Sequence, residues 1–198
     1  MFIQTESTPN PNTLKFLPGR DVLGSSKLGR NGRDFASADV ADASPLAVAI
    51  FATEGVTRVY LGDEFVSVTK TDDADWAHLK PFVLGAIMEH FVANRPVLLD
   101  AASAVADASE ADDRVYEGEA AEIVDQIKEL IDTRVRPAVA QDGGDITFHS
   151  WDHDAGVVKL HMKGACAGCP SSTMTLKQGI QNMLRHYVPE VRAVEQVI

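Results

Sequence analysis

One stretch of this chain cannot contribute to a packed core. "DAASAVADASEADDRVYEGEA", residues 100–120, is built from Ala, Ser, Asp and Glu with almost no large apolar side chains. Too little apolar surface is available there to offset the entropy of ordering it, so the stretch reads as a solvated linker, with a helix as the competing reading of its Ala-rich part. Either way it divides the 198 residues in two. The organisation expected is an N-terminal domain over 1–98, an acidic linker over 99–118, and a C-terminal domain over 119–198. The charge pattern agrees. The chain carries a net charge of −11, and residues 100–119 alone hold seven acids against one base, while both flanks are nearly balanced.

No basic stripe is available to neutralise phosphates, so nucleic acid is not an expected partner. No apolar run approaches the roughly 20 residues of a membrane span, so no membrane is expected either. The first residues, "MFIQTESTPNPNTLKF", lack a charged region followed by an apolar stretch, which argues against a secretory signal. The expected compartment is the cytoplasm of a bacterium, or the mitochondrial matrix for a processed eukaryotic form.

In the N-terminal part, Pro9 and Pro11 force extended geometry before a strand at Thr13–Leu17. "SSKLGRNGRD" is a polar loop. Ser44 caps a helix whose first turn holds Pro45. "VTRVYLG" and "FVSVTKT" flank Gly62-Asp63-Glu64 as a hairpin. Asp75 caps a helix with Trp76, Leu79, Val83, Ile87 and Phe91 at helical spacing, and Pro81 is expected to bend its early part.

The C-terminal part opens near Glu119 with a helix whose stripe is Ile123, Ile127, Leu130 and Ile131, bent or ended by Pro137. "QDGGD" is a turn. Two alternating strands follow, with Ile146 and Phe148 on one face of the first and Val158, Leu160 and Met162 on one face of the second. A loop then leads to a helix from Pro170, stopped by Pro189, and a final strand. The fold class is α/β in the α+β sense: two small domains, each a small, mostly antiparallel sheet covered by helices.

The loop is "KGACAGCPSS", and it holds both cysteines of the chain, Cys166 and Cys169. The helix N-terminus and Lys163 are expected to favour thiolate, and Gly164, Ala165, Ala167 and Gly168 keep the loop small. Four readings compete. The cysteines could simply pack. They could form a thiol–disulfide oxidoreductase pair, though only 29 residues follow Cys169, too few for the rest of a thioredoxin-like fold. They could bind zinc with His161, His149 or His153, though no C-x₂-C…H-x₃₋₅-H spacing appears. Or they could hold an iron–sulfur cluster. Such clusters usually want four thiolates, one chain offers two, and a two-fold pair of chains offers four.

"IDTRVRPAVAQDGGDITF" followed by "GACAGCPSSTMTLKQGIQNMLRHYVPEV" resembles the C-terminal domain of NifU and of the Nfu-type iron–sulfur cluster carriers. "MFIQTESTPNPNTLKFLPG" and "SPLAVAIFATEGVTRVYLGDEFVSVTK" resemble the N-terminal domain of two-domain Nfu proteins. The resemblance departs mainly at the loop over residues 25–34 and at the acidic linker. It implies a [4Fe–4S] cluster bridging a homodimer, with Cys166 and Cys169 as the ligands of each chain. It also implies upstream cluster-assembly proteins, transfer to client apo iron–sulfur proteins, and no enzymatic activity. Gly143, Gly144 and Asp145 match the family motif and are expected to set turn geometry.

Overall fold

A computed structural model describes residues 2–23, 32–99, 114–167 and 170–197, with the helical backbone alone for 170–173. Most of the predicted linker, most of the polar loop at 25–34, and Cys169 lie outside the described residues. The chain divides into two compact units, Met1–Ser109 and Glu110–Ile198. No helix among the described residues is long and apolar enough to cross a membrane.

The first unit is a five-stranded antiparallel sheet packed with helices. Its strands are β1 (Gln4–Ser7), β2 (Thr13–Leu17), β3 (Arg33–Phe35), β4 (Val56–Leu61) and β5 (Val66–Lys70), in the order β1-β2-β5-β4-β3. The hairpin turn closes with Gly62 N–H donating to Phe65 O at 2.8 Å. Helix α1 (Pro45–Phe51) starts where Ser44 Oγ accepts from Ala47 N–H at 3.1 Å, which satisfies one of the amides a helix leaves open at its start. The same hydroxyl donates to Val97 O. Asp75 accepts from Ala77 N–H in the same way at the start of α2 (Trp76–Val92), and Pro81 sits inside that helix without interrupting it. Phe16, Leu46, Ile50, Val59, Val66, Val68, Val83 and Ile87 are all fully buried, so sheet and helices share one core.

The second unit has a three-stranded sheet of β6 (Gly144–Asp152), β7 (Val157–Gly164) and β8 (Ala193–Val197) in that order. β6 and β7 form an antiparallel hairpin; β8 runs parallel to β7, because α5 (Pro170–Tyr187) carries the chain back across the sheet. The first helical stretch does not end at Pro137. α3 (Glu119–Leu130) passes into a π-helical turn, Ile131–Val135, and continues as α4 (Arg136–Gln141). Arg136 N–H donates to Ile131 O, five residues back. The wider turn absorbs an extra residue and admits a proline at the second position of α4.

Simple alternation along β6 also fails, for a local reason. The register shifts between Phe148 and Ser150, a β-bulge that turns Trp151 inward until it is 1% exposed, while Phe148 is only partly buried. Tyr116, near the end of the predicted linker, holds that point. Its hydroxyl accepts from Trp151 N–H at 2.8 Å and donates to Trp151 O at 3.3 Å, occupying backbone groups of an edge strand.

Candidate functional site

The cysteine loop leaves β7 at Gly164, whose φ is +58°. That backbone conformation favours glycine and turns the chain away from the sheet. Cys166 N–H donates to Lys163 O at 3.3 Å and Ala167 N–H to Gly164 O at 3.1 Å, so the loop begins as a tight turn. It is tied to "QDGGD" by Ala165 N–H donating to Gly143 O at 3.1 Å.

The three residues of that motif have three different tasks. Gly143 ends α4: its N–H donates to Ala140 O and its φ is +77°, the left-handed position at which helices commonly stop. Gly144 pairs with Gly164 across the hairpin and lies under Cys166. A Cβ placed on Gly144 would stand 2.3 Å from Cys166 Sγ, 3.0 Å from Cys166 N and 3.1 Å from Lys163 O. Asp145 is 4% exposed and accepts two bonds from Arg136, at 2.8 Å from Nε and 3.0 Å from the guanidinium terminus, and a third from its neighbour Ile146 N–H. Asp132, one helical turn before Arg136, accepts from the same guanidinium at 3.1 Å. Burial works against the Arg136 charge, but Asp145 and Asp132 outweigh it and its pKa ends above the usual arginine value. The turn geometry expected of the motif therefore belongs to Gly143. Gly144 permits a close approach and Asp145 anchors α4 to β6. The π-helical turn places Arg136 for that contact, a role that no local pattern announces.

Removing one member of such a pair leaves a charge buried alone. Arg136→Met should therefore lower the stability of the second unit by roughly 3 kcal/mol. Denaturant unfolding monitored by Trp151 fluorescence measures it, and a change of only a few tenths would mean that water reaches Asp145.

Cys166 is 6% exposed and packs in the core of the second unit. Burial first, then the nearby Asp142 and Asp145, push its thiol up to about 12. The expectation of a thiolate favoured by the helix start and by Lys163 therefore does not hold for Cys166 in this state. The histidines are placed elsewhere. His161 Nε2 and His149 Nδ1 are hydrogen-bonded at 3.0 Å, with ring centroids 4.6 Å apart, and His153 lies edge-on to Trp151. Among the described residues no three His, Cys, Asp or Glu side chains gather as metal ligands.

Residues 127–195 match the NifU-like domain family, and residues 3–94 match the family described as scaffold protein Nfu/NifU N terminal. The chain belongs to the Nfu family. It has the two-domain form, with both matches in order along the sequence. Among its relatives, the Arabidopsis thaliana protein named NifU-like protein 5, mitochondrial, is 49% identical over 99% of this chain and 68% of its own length. The Drosophila erecta NFU1 iron-sulfur cluster scaffold homolog, mitochondrial, is 50% identical over 100% of this chain and 65% of its own length. This Nfu chain thus spans about two thirds of those relatives. A solution structure of a NifU-like protein from Saccharomyces cerevisiae matches 50% of this chain and 86% of its own, at 25% identity and a TM-score of 0.43.

Proposed function

We propose that this Nfu chain is an iron–sulfur cluster carrier in which two copies hold one [4Fe–4S] cluster through Cys166 and Cys169 of each, and pass it to client apo-proteins. The observation that supports this most directly is positional. The only two cysteines fall within the NifU-like match, in the connection between β7 and α5. Two thiolates per chain are half of a cluster's usual set, and a closed two-fold pair supplies the rest. The cluster is cargo: a site shared between two chains can release what a site enclosed within one chain would keep.

A thiol–disulfide oxidoreductase would need a low-pKa, accessible nucleophile, and the buried, raised Cys166 argues against it. Iron can still take such a thiol, because metal binding displaces the proton. The zinc alternative has no C-x₂-C…H-x₃₋₅-H spacing to support it, and His161 is hydrogen-bonded to His149. The relatives' names carry the word mitochondrial, which supports the matrix alternative of the two compartments.

Anaerobic reconstitution with iron and sulfide tests the reading. Brown protein with about four irons per two chains is the expected result. Colourless protein that cycles a dithiol reversibly would replace the carrier with an enzyme.

The first unit contains no cysteine and is read as a docking or specificity module. The acidic segment is proposed as the boundary between two separately folded domains. Limited proteolysis should cut first between residues 100 and 113, ahead of the anchored Tyr116. First cuts inside α3 would move the boundary.

A further inference from the structure

The pairing of Cys166 with Gly144 bears on how cargo is taken up. Cys166 Sγ rests where only a glycine leaves room, since any Cβ on Gly144 would come within 2.3 Å of it. The sulfur is enclosed among core residues, with 6% of Cys166 exposed. The backbone on both sides of this contact is fixed: Ala165 N–H donates to Gly143 O, and Gly144 pairs with Gly164. A cluster shared by two chains must meet the sulfur at a surface, and an enclosed sulfur offers none. We propose that Gly144 is a positioning residue that forms a seat for the Cys166 thiol in the cluster-free chain, and that the thiol leaves this seat when the cluster loads. On leaving, the sulfur gives up its proton to solvent as the iron–sulfur bond forms. Until then the seat shields it from alkylating and oxidising reagents. The release step rests on the ligand assignment proposed above; the seat does not.

The test uses the cluster-free full chain and iodoacetamide, with Cys166 modification followed by peptide mass spectrometry. In wild type, Cys166 should react on the order of a hundred-fold more slowly than in guanidinium-unfolded chain. Gly144→Ala crowds the seat and should speed Cys166 by about tenfold, a change equivalent to about 1.4 kcal/mol. Leu184→Ala, in the same core but about four helical turns along α5 from its start beside the cysteine loop, supplies a comparison for lost stability alone. At matched stability it should speed Cys166 much less.

Equal speeding by Leu184→Ala would mean that the thiol is reached only through global unfolding, and would overturn the seat. Equal rates in folded and unfolded wild type would overturn it without any variant, which covers the case in which Gly144→Ala does not fold. For the release step, anaerobic loading of Gly144→Ala should begin several-fold faster than wild type. Loading at the wild-type rate, with the seat otherwise confirmed, would overturn release as part of uptake. Failure of wild type to load at all would instead strike the carrier reading and leave the seat standing.

Discussion

Cys166→Ala and Cys169→Ser should each reduce reconstituted iron from about four per two chains to background, with loss of the brown colour. The reason is stoichiometric as well as chemical. Each substitution removes two of four ligands from a symmetric pair, and a serine hydroxyl is too hard and too weakly acidic to replace a thiolate on iron and sulfur. Alanine is the better choice at position 166. Cys166 is buried in the core, and a serine there would place a hydroxyl in the same enclosure, at about 1–3 kcal/mol if it finds no partner. A serine variant that failed to bind could then have failed to fold. Alanine removes the sulfur and adds no polar group, so lost iron at near-native stability reports on ligation. His161→Ala should keep the cluster, since two cysteines from each of two chains already supply the four ligands. Iron lost in His161→Ala, with folding intact, would restore a mixed Cys–His site.

Features governed by local chemistry could be read in advance. Ser44 with Pro45, Asp75, and the Gly62-Asp63-Glu64 turn all act through their own backbone neighbourhood, and each stands where the residues placed it. What escaped depends on distant partners. β1 and β3 are short and largely polar, "QTES" and "RDF", and become strands only because β2 and β4 pair with them. Nothing in "DITFHSW" announces a bulge, yet the bulge turns Trp151 inward. Pro137 reads as a bend or an end of the helix, and nothing in its neighbourhood announces that the helix continues past it through a π-helical turn, with Arg136 reaching Asp145.

The site divides along the same line. Cys166 and Cys169 stand out as the only thiols, and "QDGGD" stands out as a turn. The division of labour within that motif was hidden, because the role of Gly144 is defined by a sulfur 22 positions away. The burial of Cys166 was hidden for the same reason. A Gly- and Ala-rich loop at a helix start suggests an open, ionised thiol, and only the fold reveals the core and the two aspartates around it.

If each chain supplies two thiolates and the cluster wants four, binding and dimerisation are one event. The loop residues Gly164, Ala165 and Ala167 can bury little apolar area against a partner, so iron–sulfur bonds must provide most of the association energy. A ligand that binds only one state favours it by about 2.7 kcal/mol at a hundred times its dissociation constant, and withdrawing that ligand reverses the shift. A chelator, or a client with a complete four-thiolate site, should therefore return the chains to monomers as the cluster leaves. Sedimentation velocity with detection at both the protein and cluster absorbance bands tests this directly. The account predicts that all cluster absorbance sediments as a dimer and that the same sample, after chelation, sediments as a colourless monomer at the same concentration. A brown monomer with a full cluster, or a colourless dimer as tight as the brown one, would contradict it.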